Sequence, residues 1–125
     1  MLHYPPLKPC PCGSGRSFSA CCGPNLSGER TAETPEALMR SRYTAFVLRD
    51  APYLLATWHP RTRPATLDLE GTRWLGLTVH RASDDRVEFS ARFEENGQKT
   101  QLRENSRFVH AEGAWLYLDG EQWEG

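Results

Sequence analysis

Four cysteines lie within thirteen residues near the N-terminus, and they constrain the fold more than any other feature of the chain. They form the pattern C-x-C-x8-C-C, which comprises Cys10, Cys12, Cys21 and Cys22. Two disulfides in so short a segment would be cramped, and a reducing compartment would tend to break them. Four thiolates offered as two pairs can instead close a tetrahedral zinc site that has no open position for water.

The residues around the cysteines suit a small metal knuckle. Gly13-Ser14-Gly15 lies between the two pairs and supplies the backbone freedom that folds one pair onto the other. Gly23-Pro24 ends the unit directly after the last cysteine. Structural zinc is the main prediction for this segment, and redox chemistry or inert free thiols are its alternatives. A catalytic zinc is disfavoured because four cysteines already fill the coordination sphere.

Charge and hydropathy exclude several classes of protein. The chain has 125 residues, and 15 basic against 16 acidic side chains give a net charge of −1, so a strongly basic nucleic-acid binder is not expected. There is no run of about 18 apolar residues of the kind that spans a membrane. The N-terminus carries prolines and a lysine where a signal peptide needs an apolar stretch. We therefore expect a single-domain-sized protein of the cytosol.

Helix signals follow the knuckle. Residues 25–34 are polar, contain a glycine and have no apolar period, so they are predicted to form a linker. Thr34 is a candidate N-cap for a helix over residues 35–49, and Asp50 is a candidate cap for a second helix that ends before His59-Pro60. A short third helix is predicted around residues 65–70.

After Gly71 the apolar period changes to two, which is typical of strands. In the first strand the alternation assigns Leu75, Leu77 and Val79 to one face. Asn96-Gly97 is a strong hairpin signal. Four strands are predicted, at about 74–80, 87–94, 99–110 and 114–119. Two or three helices on one face of a four-stranded antiparallel meander give an α+β fold.

The segment CPCGSGRSFSACCG at residues 10–23 resembles the SEC-C motif, a small zinc-binding unit. The resemblance implies that Cys10, Cys12, Cys21 and Cys22 are the metal ligands. Phe18 is expected to pack over the thiolates, and Arg16 to be the main surface contact. These two residues, Arg16 and Phe18, are the predicted partner-binding face of the knuckle.

The remainder of the chain resembles the YchJ-like bacterial proteins, which join a SEC-C motif to a nuclear-transport-factor-2-like domain. LMRSRYTAF at 38–46, TWHP at 57–60 and WLYLDG at 115–120 carry the likeness. It implies a zinc knuckle at residues 1–24, a linker at 25–34 and a cone-shaped domain at 35–125, called the cone domain below. This division predicts that the Cys21→Ser variant loses the metal while the cone domain stays folded.

The YchJ-like family has no established activity, so function is predicted only broadly. The first hypothesis is a cytosolic, zinc-binding adaptor whose partner is a ribosome, a secretion chaperone or an unfolded chain. Nucleic acid is expected only as part of a ribosome. The alternative is a small-molecule-binding protein or an enzyme that uses a pocket of the cone domain.

No catalytic residue is assigned, because the strand alternation indicates no inward-facing carboxylate. The candidate pocket or anion-binding residues are Arg40, Arg42, Tyr43, His59, Trp74, Arg92 and Arg107.

Overall fold

A computed structural model describes residues 4–124 of the chain. A short 3-10 helix, Phe18–Ala20, precedes three α-helices, which are α1 (Gly23–Ser27), α2 (Pro35–Leu48) and α3 (Ala51–Ala56). The strands are β1 (Thr72–Ser83), β2 (Arg86–Glu95), β3 (Gln98–Ala111) and β4 (Ala114–Glu124). They form one antiparallel sheet in the order β1-β2-β3-β4, which confirms the predicted α+β meander. Within the described part of the chain, no helix is long and apolar enough to cross a membrane.

The two predicted helix caps are present. Thr34 accepts a hydrogen bond from the backbone N–H of Ala37 at 3.0 Å, and Asp50 accepts one from Tyr53 at 3.1 Å. The third helix, predicted around residues 65–70, does not form. Asp68 instead accepts a hydrogen bond from the backbone N–H of Glu70 at 3.1 Å. This local turn competes with helix formation for the same backbone group.

The segment predicted as a linker is packed against the knuckle. Residues 25–27 belong to α1, and Asn25 is buried. Arg30 donates hydrogen bonds to the side-chain oxygen of Asn25, at 3.0 Å, and to the backbone carbonyl of Cys21. The first residues after the cysteines are therefore part of the folded unit.

The knuckle and the cone domain share one hydrophobic core. The four buried cysteines lie in the same cluster as Leu38 and Met39 of α2 and Val87 and Phe89 of β2. A change at one of these cysteines would therefore disturb packing that the cone domain itself uses. This arrangement argues against the expectation that the cone domain stays folded in the Cys21→Ser variant.

A bulge in β1 decides which of its side chains face inward. Trp74 pairs with Phe93 and Gly76 pairs with Arg92, so Leu75 is an extra residue between two regular pairs. Leu75 is 40% exposed, whereas Trp74 packs against the core together with Leu77. The prediction that Leu75 shares a face with Leu77 is wrong, because the bulge shifts the alternation by one residue.

Candidate metal centre and candidate binding cavity

The four cysteine sulfurs form one compact cluster. All four Sγ atoms lie within 4.8 Å of one another, and all four residues are buried. The Sγ atoms of Cys12 and Cys21 are 3.5 Å apart, and those of Cys21 and Cys22 are 3.9 Å apart. A tetrahedral ion with metal–sulfur bonds of about 2.3 Å requires sulfur–sulfur distances of about 3.8 Å. The cluster thus fits a metal ion held by four thiolates.

Positive φ values at Gly13 and Gly15, of 80° and 89°, shape the turn that brings the two cysteine pairs together. The backbone N–H of Cys10 donates to the carbonyl of Arg16 at 2.9 Å and closes this turn. Most other residue types are strained at such φ values. The predicted role of the Gly-Ser-Gly segment is therefore seen directly in its backbone.

Polar side chains surround the sulfurs and can donate to them when they are thiolates. The hydroxyl of Ser14 lies 3.1 Å from Sγ of Cys21, and Nη2 of Arg16 lies 3.8 Å from the same atom. Hydrogen bonds with Cys12 and then Cys22 lower the pKa of the Cys10 thiol. The pKa of Cys22 is raised, first by its hydrogen bond with Cys10. A bound cation would take the place of the protons that these sulfurs otherwise share.

The predicted partner-binding residues have different environments. Arg16 is exposed, although its guanidinium also reaches Cys21. Phe18 is half-buried, and its ring packs edge-on against Tyr4 with centroids 5.1 Å apart. The backbone of Gly23 lies directly against Phe18, so close that an added Cβ would be 2.9 Å from the Phe18 carbonyl oxygen. Phe18 is mainly a packing residue, and Arg16 remains available at the surface.

Arg40 and Arg42 do not form a joint anion site. Nη1 of Arg40 donates to the carbonyl oxygen of Cys12 at 2.8 Å, and its Nε pairs with Glu36 at 3.0 Å. Arg42 instead lines a cavity of the cone domain. Residues two positions apart on an α-helix point in different directions, so the sequence neighbours serve different sites. Arg40 connects α2 to the knuckle.

The cavity lies between α2 and the inner face of the sheet and has a volume of about 250 Å³. An apolar cavity of about 150 Å³ is known to hold benzene, so this one has room for a substituted ring. Three residues predicted as pocket candidates, Arg42, Tyr43 and Trp74, form part of its wall, and burial raises the pKa of Tyr43 to about 12. The aromatic lining comprises Tyr43, Phe46, Trp58, Trp74, Phe89, Phe108 and Tyr117.

Arg42 is the buried cation of the cavity wall and is only 5% exposed. Its Nη1 donates to the carbonyl oxygen of Leu54 and to the hydroxyl of Thr57, both at 2.8 Å. Its guanidinium carbon lies 4.8 Å from the centroid of the Trp58 ring and 4.7 Å from that of Tyr117. Burial lowers the pKa of Arg42 to about 10. Among the side chains that the structure describes, no carboxylate lies within 4 Å of it.

Glu104 is the buried carboxylate of the same wall, and sequence reasoning missed it. It is 5% exposed and accepts hydrogen bonds from the hydroxyl of Ser106, the hydroxyl of Tyr117 at 3.1 Å and the amide of Gln122 at 2.7 Å. The expectation that no carboxylate faces inward is therefore wrong. Three donors compensate for much of the desolvation of this carboxylate.

The alternation of inward-facing and outward-facing side chains along β3 could have identified Glu104. Leu102, Glu104, Ser106 and Phe108 all line the cavity, and Phe108 is an obvious core residue. Counting back from Phe108 in steps of two reaches Glu104. Gly120 of β4 leaves room for this carboxyl group, because a Cβ at this position would lie 2.8 Å from Cδ of Glu104.

The remaining three pocket candidates lie elsewhere. His59 accepts a hydrogen bond at Nδ1 from the backbone N–H two residues further on and occupies a turn. Arg92 donates to the hydroxyl of Thr78 at 3.2 Å, and Arg107 forms an ion pair with Asp119 at 2.8 Å. Both arginines alternate with inward-facing residues of their strands and so lie on the outer face. None of the three lines the cavity of the cone domain.

Two family models match this chain. A family model for the SEC-C motif matches residues 8–24, and a model described as the middle, NTF2-like domain of YchJ matches residues 34–120. A UPF0225 protein of Deinococcus radiodurans is 57% identical over 121 residues, which cover 95% of this chain and 93% of the relative. A UPF0225 protein of Streptomyces coelicolor is 50% identical over 120 residues, covering 93% and 97% of the two chains.

Two solved structures are similar to this one. The solution structure of a SEC-C motif containing protein from Rhodopseudomonas palustris has a TM-score of 0.82 and 40% identity, and the match covers 91% of this chain and 98% of that one. The crystal structure of a SEC-C motif containing protein from Psychrobacter arcticus has a TM-score of 0.71 and 27% identity, with 91% and 82% covered. With a SEC-C cysteine cluster packed on an NTF2-like domain, and with relatives that match along nearly its whole length, the chain belongs to the YchJ-like UPF0225 family.

Proposed function

We propose that the cone domain binds a small molecule in its aromatic-walled cavity. The observation that carries this proposal is the presence of two buried charged side chains, Arg42 and Glu104, in the wall of a cavity with room for a ring. Buried charges are costly, and a few polar groups in an otherwise apolar cavity are typical of ligand sites. The three hydrogen bonds accepted by Glu104 favour a fixed polar wall over a group that transfers protons.

We further propose that the metal is zinc and that its role is structural. Four buried thiolates with tetrahedral spacing leave no position for a reacting water, which is typical of structural zinc sites. A cytosolic location, where thiols stay reduced, suits this ligand set. The metal would hold the knuckle against α2, the helix that also provides Arg42 and Tyr43 to the cavity.

A ligand screen with a cavity-filling variant tests the binding proposal. Small cyclic compounds of different charge would be screened by thermal shift, and each hit would be measured by calorimetry on the intact chain. Ala91 is buried in the cavity wall, so Ala91→Leu should abolish the binding of every hit. Ala82, also on the sheet, is exposed, and Ala82→Leu is the matched control. A screen without hits, or hits that bind Ala91→Leu with full affinity, would contradict the proposal.

An adaptor role is the second candidate, and an exposed apolar side chain on the knuckle favours it. Leu7 is 85% exposed, and the cations Lys8 and Arg16 are exposed on the same small unit. A partner protein, such as a ribosomal protein, a chaperone or an unfolded chain, would cover this face. The test compares capture of partners by the intact chain and by a Leu7→Ser/Arg16→Gln variant. Equal capture by the two proteins would exclude this face as the docking site.

A further inference from the structure

Two residues of the cavity wall carry hydrogen-bond donors that have no acceptor. Both hydrogen bonds that Arg42 donates come from Nη1, so Nε and Nη2 have no partner within the described part of the chain. The indole Nε1 of Trp58 also lacks a partner among the described residues, but it has almost no accessible surface, so a ligand in the cavity does not reach it. Native proteins rarely leave buried donors unsatisfied, and each case calls for an explanation. A ligand atom that accepts hydrogen bonds from Nε and Nη2 would provide one for Arg42, whose side chain lines the cavity.

The charge of Arg42 points to the same conclusion. Arg42 is 5% exposed, and its guanidinium carbon lies 4.8 Å from the centroid of the Trp58 ring and 4.7 Å from that of the Tyr117 ring. No described carboxylate forms an ion pair with it, and Glu104 is engaged by donors of its own. A buried cation is normally paired. The acceptor that completes the site is therefore expected to carry a negative charge.

The cavity has a polar end and an apolar end. Arg42, Trp58 and Tyr117 lie together at the polar end. Tyr43 and Phe46 each pack against Trp74 at the apolar end, with ring centroids 5.8 and 5.6 Å from that of Trp74. A ligand that matches both ends has one anionic group and one apolar ring or short chain.

We infer that the cavity binds a small monocarboxylic acid, whose carboxylate accepts hydrogen bonds from Nε and Nη2 of Arg42 and whose apolar body lies against Trp74. This inference rests on the proposed ligand-binding function of the cone domain and names its ligand class. A phosphate monoester fits less well, because a dianion needs more donors than this one guanidinium offers. The buried carboxylate of Glu104 in the same wall would also repel a second negative charge.

The test uses matched pairs of acids and amides on the intact, metal-loaded chain. Benzoate, phenylacetate and cyclohexanecarboxylate are compared with their uncharged primary amides by calorimetry. We expect at least one acid to bind and its amide to bind at least tenfold more weakly. Arg92→Gln is the control for the Arg42→Gln variant, because it removes an arginine of the outer face.

Arg42→Gln should abolish the preference for the acid over its amide. This variant also loses the hydrogen bonds to Leu54 in α3 and to Thr57 in the turn that follows. Its folding is therefore checked first by circular dichroism. The acid–amide comparison in the unmodified protein does not depend on that variant. Amides that bind as well as the acids would overturn the carboxylate inference and leave the binding function standing. If only neutral or cationic compounds bind, the carboxylate inference is likewise overturned and the binding function stands. If no compound of any charge binds, the binding function fails as well.

Discussion

The guanidinium of Arg40 on α2 donates a hydrogen bond to the backbone carbonyl of Cys12 in the knuckle, with Nη1 and the oxygen 2.8 Å apart. This contact joins the metal cluster to the helix that also bears Arg42 and Tyr43 of the cavity wall. Together with the shared core, it makes the knuckle a structural part of the cone domain. Metal content and cavity structure are therefore expected to change together.

Loss of the metal should destabilise the whole protein. Removal by a chelator under reducing conditions, or the Cys21→Ser variant, is expected to lower the melting temperature by at least about 10 °C, because metal binding supplies folding free energy. Near-ultraviolet circular dichroism should report loss of packing around the tryptophans of the cone domain. Ser19→Ala, an exposed change in the knuckle, is the control. Unchanged melting of the metal-free protein would show that the two units fold separately.

Arg40→Ala should cost about 1.5–3 kcal/mol in the free energy of unfolding, since it removes a charge-assisted hydrogen bond to the backbone. It should also weaken metal affinity, measured by competition with a coloured chelator. Glu36→Gln is the matched control, because it breaks the ion pair with Arg40 but keeps the bond to Cys12. That partly exposed i,i+4 pair is expected to contribute at most about 1 kcal/mol. Equal effects of the two variants would contradict the assigned role of Arg40.

Gly120→Ala should disturb the cavity. The new Cβ would lie 2.8 Å from Cδ and 2.9 Å from Cγ of Glu104, a buried side chain fixed by three hydrogen bonds. Relief of this clash would displace the carboxylate, and we expect a loss of about 1–3 kcal/mol from overpacking. Gly76→Ala is the control, since the three atoms nearest to its added Cβ all belong to the guanidinium of Arg92, the end of a long side chain on the outer face. Urea denaturation of both variants checks the prediction, and similar losses would argue against it.

Alkaline pH should reveal the burial of Tyr43. Its pKa is raised to about 12, so above pH 10 the unfolded chain releases a proton that the folded protein retains. The contribution of Tyr43 to stability is thus present below pH 10 and is lost as the pH rises toward 12. At pH 11 the loss amounts to about 1 kcal/mol. Tyr43→Phe should therefore show a weaker decline in stability between pH 9 and 11 than the unmodified protein. Parallel declines would contradict the burial of this hydroxyl.

Much of the fold could be predicted because its signals are local. The caps at Thr34 and Asp50 and the change of period after Gly71 each depend on residues close in sequence. The bulge at Leu75 could not be predicted, because it depends on how β1 pairs with β2. The absent third helix was missed because a side-chain turn at Asp68 competes with a weak helical pattern.

The sequence predicts a residue of the candidate site only where the residues next to it in the sequence determine its position. The cysteine cluster follows from spacing, and Tyr43 and Trp74 follow from their apolar surroundings. Arg92 and Arg107 lie outside the cavity, and the apolar residues beside them in each strand already assign them to the outer face. Glu104 was missed because a carboxylate in a strand is usually exposed, and its hydrogen-bond donors come from both β3 and β4.

The most direct test of the binding cavity is the response of the four tryptophan indole signals in a ¹H–¹⁵N correlation spectrum. Trp58→Phe and Trp74→Phe assign the two cavity residues. Addition of a ligand found by the screen should shift the indole signals of Trp58 and Trp74 in a saturable manner. The signals of Trp115 and Trp123 should stay in place, because these rings lie outside the cavity lining. Saturable shifts confined to Trp115 and Trp123, or no shift at all, would contradict the assignment of the cavity as a ligand site.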